Sequence, residues 1–335
     1  MKSQNSPLER HLLERIAAPF DALRARFFRA LSPWIFLLIR DRALRICLTG
    51  SLFFTLAFFF SLFFPLWQLV LGPIIFGIPH FIGDLRYLIL RERLERKTWF
   101  LGLVCLPFTL FLWSYEPSFA MLGVVFAAFF SKRSLWQKVS VLLLSVVGLF
   151  FSWVDSRTFL FVFLHLHNVV GIAIWWFWRR DRSIWEGVPL LLCFLGSAYL
   201  LTQAPLQSAA EFYPAQMDAS YFEVNIADFA SGEFRFRWIS LYAFLQSAHY
   251  VVWVRLIPEE ARRQYTPRSF AKSLIALRDD FGFLSFWGTS VGIIILLGWA
   301  IFDAEQARSG YLRLIAFHGF LELAVLVYTY TGRSE

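Results

Sequence analysis

The sequence predicts an all-α protein: a polytopic transmembrane helical bundle of about ten spans with both termini cytoplasmic. Three observations predict it. Of the 335 residues, 58% are hydrophobic and 17% charged, with a mean hydropathy of +0.56, whereas a soluble domain carries about a quarter charged residues. Apolar runs long enough to cross ~30 Å of hydrocarbon recur along the chain. Between those runs the basic residues alternate, crowding every second connection.

In chain order, the runs fall near 44–64, 66–90, 98–114, 118–131, 135–153, 158–178, 184–202, 236–256, 281–302 and 311–330. With the N-terminus inside, 27 of the 32 Lys and Arg lie in the inner segments. The outer side keeps Arg157, Arg235, Arg237, Arg308 and Arg313, together with Glu116, Asp155, Asp303 and Glu305. The net charge of +8 is thereby an orientation signal, and no nucleic-acid partner is needed to explain it. Cys47, Cys105 and Cys193 all lie in apolar runs, which excludes a disulfide scaffold.

Residues 1–43 form a cytoplasmic head ahead of a single transmembrane domain, 44–335. In the head, Leu8, Leu12, Ile16, Phe20, Leu23, Phe27 and Leu31 recur at spacings of three and four. That is an amphipathic helix, kinked at Pro19, suited to the inner leaflet or to packing on the cytoplasmic loops. The outer loop 203–235 is too polar to span. The inner loop 257–280 predicts one interfacial helix. Trp175, Trp176 and Trp178 before Arg179 and Arg180 predict an inner-interface belt.

Ionisable side chains inside a bilayer are costly and face a protein interior, a cavity or a ligand. Five of the six histidines lie within spans: His80, His165, His167, His249 and His318. Their four helices all run from outside to inside, which places the imidazoles ~10 to ~20 Å below the outer ends. One layer at mid-membrane is consistent with that. His80 and Asp84, and His318 and Glu322, are four residues apart and so share a helix face. Either acid can ligate a metal or hold a ligating imidazole through its second nitrogen. His165 and His167 point roughly 200° apart, so at most one of them enters a shared site. Asn168 and Gln246 are further polar candidates beside it. An imidazole-rich centre without neighbouring thiolates suits Fe²⁺ with open positions for O₂, or a haem b axially ligated by His80 with His249 and by one of His165 or His167 with His318. A proton-relay transporter is a third class. Gly72, Pro73, Gly77 and Pro79 predict a broken helix before His80. Gly288-Thr-Ser290-Val-Gly292 matches a serine-nucleophile pattern, but lacks its strand and reads as a close-packing GxxxG.

The stretch Gly77-Ile-Pro79-His80-Phe-Ile-Gly-Asp84 resembles the membrane-bound β-carotene dioxygenase family of bacteria and archaea (the Brp/Blh type), which carries Gly-x-Pro-His with an Asp four residues after the His. His318 with Glu322 is similar to that family's other His-plus-acid segments. Phe163–Asn168 and Ser247–Trp253 occupy the place of its remaining His-bearing helices, here with His165-x-His167. The resemblance implies a helical membrane bundle whose histidines bind one non-haem iron. It also implies O₂-dependent cleavage of a carotenoid, a hydrophobic substrate taken from the lipid bilayer, and an inner (cytoplasmic) bacterial membrane as the setting. Asp84 and Glu322 would then serve the catalytic centre by orienting or supplementing the ligands.

Overall fold

A computed structural model describes residues 7–32, 34–179, 183–203, 222, 226–227, 233–262, 266 and 268–329. Among these there is no strand, and the all-α expectation holds. Most of the outer loop 203–235 lies outside the described residues, as do the last residues of the chain.

The head is α1 (Pro7–Ala30) and α2 (Trp34–Arg40). Seven helices are long and apolar enough to cross a membrane: α3 (Arg42–Phe63), α4 (Pro65–Leu90), α7 (Leu135–Val154), α8 (Ser156–Trp178), α9 (Ile184–Gln203), α13 (Phe283–Phe302) and the stretch Ala304–Thr329. That stretch turns at 315–317 and so comprises α14 (Ala304–Leu314) and α15 (His318–Thr329). Two shorter apolar helices, α5 (Thr98–Ser114) and α6 (Pro117–Phe129), lie between α4 and α7. The remaining helices are α10 (Glu233–Val251), α11 (Ile257–Ala261) and α12 (Phe270–Phe281).

Local chemistry sets several of the starts. Asp41, Asp155 and Asp303 accept from Leu44, Thr158 and Gln306 backbone N–H groups at 2.9, 3.0 and 2.9 Å. These carboxylates satisfy donors that a helix start leaves open. Gly282, at φ +79°, makes the sharp joint between α12 and α13.

Exposure separates the helices by role. In α13, Ile294, Ile301 and Phe302 are 69%, 83% and 90% exposed. An apolar helix with so little of its surface covered requires lipid or another apolar partner around it. The opposite case is α10, which carries Gln246 and His249 yet buries Ala243, Phe244 and Ala248 completely. It is the central helix, and the bundle rather than lipid surrounds its polar groups. For the same reason Trp175 is fully buried and does not join an interface belt: one residue's rotation from Trp176 turns it into the core. Trp176 stays partly exposed, under the Arg179 guanidinium.

Pro73 and Pro79 do not break α4. The helix continues from Pro65 to Leu90, widening into π-turns at Pro73–Gly77 and Leu85–Leu90 on either side of His80. A π-turn absorbs the missing proline N–H by shifting the hydrogen-bond register. A third π-turn, Val252–Leu256, follows His249.

Pro19 likewise leaves α1 continuous. The head packs on the inner loop: Arg278 donates to both oxygens of Glu9 at 2.7 and 2.8 Å, and Trp287 to Glu9 at 3.0 Å. Asp21 accepts from the first two N–H groups of α12. The Arg278 guanidinium holds the Glu9 carboxyl below its ordinary range. The stripe Leu8, Ile16, Phe20 and Leu23 meanwhile stays exposed. The helix therefore docks by one face and keeps its apolar face outward.

Nearby, buried Arg42 pairs with Glu260 at 2.7 Å and Arg45 with Glu259 at 3.1 Å, tying α3 to α11. Burial alone would raise the Glu259 carboxyl; Arg255, Arg45 and Arg262 outweigh it and hold the group below its ordinary value.

Candidate metal centre

Four helices deliver the site. His80 stands on α4 between two π-turns, His167 on α8, His249 at the end of α10, and His318 with Glu322 on the first turns of α15. His80, His249 and Glu322 are fully buried. One ligand atom from each of His80, His249, His318 and Glu322 lies within 4.8 Å of every other.

The closest pairs are informative. His249 Nε2 is 3.1 Å from His80 Nε2, and His167 Nε2 is 3.0 Å from His318 Nε2. Two nitrogens bound at ~2.1 Å to one ion stand ~3.0 Å apart at 90° and ~3.4 Å at the tetrahedral angle. Glu322 Oε1 is 3.3 Å from His249 Nε2 and 3.7 Å from His80 Nε2. These separations fit ligands sharing a centre, and the two nitrogen pairs also lie at hydrogen-bond distance.

One outward nitrogen is held by the backbone. His318 Nδ1 lies 2.7 Å from the Ile315 carbonyl, so it carries the proton and leaves Nε2 free as a donor to metal. Asp84 Oδ1 stands 3.3 Å behind His80 Nδ1, at ion-pair distance but outside hydrogen-bond geometry. The two acids thus divide: Asp84 backs a ligand, and Glu322 faces the other donors.

An ion fits this arrangement on the chemistry of the donors. Both oxygens of Glu322 and both of Asp84 are buried without a hydrogen-bond partner. Among the described residues no Lys or Arg pairs with either acid. Two carboxyl groups so placed are costly, and a divalent cation relieves that cost at the point where the imidazole nitrogens meet.

Close helix approach makes the convergence possible. A Cβ at Gly171 would stand 2.7 Å from His249 Nδ1 and 2.8 Å from Trp253 Nε1. At Gly319 it would stand 2.8 Å from His167 Cδ2. Gly171 is four residues after His167 and Gly319 is next to His318. Their meaning was legible only as adjacency, because a clash needs the partner helix.

His165 does not join the centre. It turns to the other side of α8, with Nδ1 2.9 Å from the Phe161 carbonyl and its ring 5.1 Å from that of Tyr242. The roughly 200° between alternate helix positions sends His167 inward and His165 away. Asn168 and Gln246 line a cavity and do not back the imidazoles. Ser290 donates to the Phe286 carbonyl at 2.8 Å. A Cβ at Gly288 or Gly292 would meet nothing within 4 Å, so neither glycine serves close packing within the chain.

The cavity, of about 800 Å³, reaches the centre at His167, His318 and Gly319. From there it extends past Phe163 and Phe320 to Thr158 and Arg308. Sequence reasoning missed Arg308 as a wall residue, since a lone arginine after an apolar run reads as a flanking charge.

No protein-family model matches the chain, and neither a curated protein nor a solved structure was found to match it.

Proposed function

We propose that this chain is an integral membrane oxygenase that holds one non-haem iron through His80, His249, His318 and Glu322, with His167 at its cavity side. In this reading it acts on a hydrophobic, carotenoid-like or other lipid substrate. The observation that carries it is the meeting of these donors, from three helices and beside His167 of a fourth, at one end of a cavity of about 800 Å³. That volume lies in the range of small-molecule sites.

Bound iron would supply the activation of O₂ beside a substrate double bond. The chain's own residues do the rest. The Ile315 carbonyl keeps the His318 ring turned with Nε2 toward the centre, and the Asp84 carboxyl stands 3.3 Å behind His80 Nδ1. Glu322 supplies the negative charge that leaves a divalent ion only partly neutralised, and so still electrophilic. Phe163 and Phe320, stacked with ring centroids 4.1 Å apart, give the cavity an apolar wall that excludes water from the reacting bond. His167 and His318 are the imidazoles a substrate meets first.

A haem is less well served by this geometry. Two axial nitrogens on opposite sides of one iron stand ~4 Å apart, against 3.1 and 3.0 Å for the two pairs. The ring centroids of His80 and His318, only 5.2 Å apart, leave no slot for a macrocycle between the pairs. The topology that accompanies the proposal has ten spans and both termini in the cytoplasm of a bacterium, with the cavity opening toward the outer face.

Metal analysis of the purified, gently extracted protein tests the proposal. About one equivalent of iron and no Soret band is the expected result. Less than ~0.2 equivalents of any transition metal, with no uptake on reconstitution, overturns it.

A further inference from the structure

We infer that the substrate is a single-chain lipid with an anionic head, a carboxylate or phosphate, which Arg308 binds at the far end of the cavity while the chain reaches the metal centre. The inference rests on the metal-centre reading and names its substrate class.

Arg308 is 6% exposed and lines the cavity. Its Nε donates to the Leu69 carbonyl at 2.6 Å, and its guanidinium lies 5.0 Å from the Phe222 ring centroid. Among the described residues no carboxylate lies within ion-pair distance of it. The backbone carbonyl accepts one N–H and leaves the rest of the planar fork, the part suited to a bidentate oxyanion, without a charged partner. A buried cation so placed is expensive unless an anion joins it.

The wall between Arg308 and the metal is two-sided. Tyr242, Gln246 and Tyr250 recur every four residues on α10 and all line the cavity, with Asn168 of α8 beside them. Phe163, Phe320 and Leu312 line it as well. A pure hydrocarbon would strip water from the polar ladder and from Arg308 and return no hydrogen bond. An amphiphile satisfies the arginine with its head and the phenyl rings with its chain.

The span sets the length. Leu69, whose carbonyl Arg308 donates to, precedes His80 by eleven residues on the continuous helix α4, which places the arginine at most about 16 Å from the centre. At ~1.3 Å advance per C–C bond, that is a chain of at most about a dozen carbons between head and reacting bond.

The test compares oleate, oleyl phosphate and oleyl alcohol, binding to the intact protein in phosphatidylcholine nanodiscs, with metal content read on each sample. The expected result is that at least one of the two anions binds about tenfold or more tighter than the alcohol, and that Arg308→Gln removes this preference while leaving alcohol binding within about twofold. The stronger of the two anions identifies the head group. Equal binding of alcohol and anions by the parent protein overturns the inference without any variant. So does an Arg308→Gln protein that keeps the preference. Should Arg308→Gln fail to fold, Arg308→Lys must retain a reduced preference, because the charge stays while the fork is lost; an undiminished preference counts against Arg308. If the anion preference is absent but iron is present, the head-group inference alone fails. If iron is absent, the metal reading fails.

Discussion

Substituting Gly171 by Ala isolates the packing that brings α8 against α10. The new Cβ would stand 2.7 Å from His249 Nδ1, where ordinary contact begins at 3.4 Å, a deficit of about 0.7 Å. Trp253 Nε1, at 2.8 Å, blocks the other way out. Relief requires the His249 ring to move by several tenths of an ångström, while a metal site tolerates ligand displacements of ~0.2 Å. Overpacking of this kind costs ~1–3 kcal/mol. In the metal-free protein the ring can turn and relieve part of it. With metal bound it cannot, so the strain falls on affinity, a loss of roughly 5- to 150-fold. Chelator competition on the purified protein reads the affinity, and thermal unfolding of the metal-free form reads the remainder. Gly298→Ala, on a helix where a Cβ meets nothing within 4 Å, is the control expected to change neither. A Gly171→Ala protein with parental affinity and parental Tm refutes the reasoning, because α8 and α10 would then not be in contact at this point.

The other predictions follow from the same geometry. His249→Ala and Glu322→Gln should each abolish stoichiometric metal, whereas His165→Ala should leave it intact, as measured by elemental analysis; metal loss in His165→Ala would mean that the ring turned toward Tyr242 is a ligand after all. Asp84→Asn, which removes the carboxylate 3.3 Å behind His80 Nδ1 without touching the ligand atoms, should lower metal affinity about 10- to 100-fold, read by the same competition. Glu259→Gln leaves Arg45, Arg255 and Arg262 facing an uncharged partner and should cost about 3–5 kcal/mol in unfolding. Because Glu259 titrates below its ordinary value of 4.5 in the folded protein, the stabilisation from its ionised form is complete above that pH. It is lost as pH falls through the lower folded value. The parent protein should therefore lose Tm on acidification in that window, and Glu259→Gln should lose less.

Much of the architecture was legible because its causes are local. Hydrocarbon thickness acts on one run at a time, and each of the seven long apolar helices is visible as such a run. Caps at Asp41, Asp155 and Asp303 act within three residues. The limit of that logic is α10. The sequence reads it as a run near 236–256, yet it is more polar than the seven long apolar helices, and only its neighbours reveal why that polarity is tolerated. The prolines of α4 show the same limit in reverse. Each removes a donor locally, but whether the helix breaks or widens depends on the register the surrounding helices hold.

By itself the sequence determined an all-α chain rich in membrane-length helices and singled out the histidines and acids that do not belong in lipid. The pairing of His80 with Asp84 was also its own, since four residues on a helix set that distance without help. Only the tertiary structure decided that His167 faces the centre and His165 turns away, and that Glu322 joins the donors while Asp84 stands behind one. It also decided that Arg308 lines the cavity that reaches the centre. The physical reason is common to all three. Helix geometry relates side chains along one segment. A metal centre and a cavity are made by atoms from different segments, whose separations are set by how closely the helices pack, here down to the missing Cβ atoms of Gly171 and Gly319.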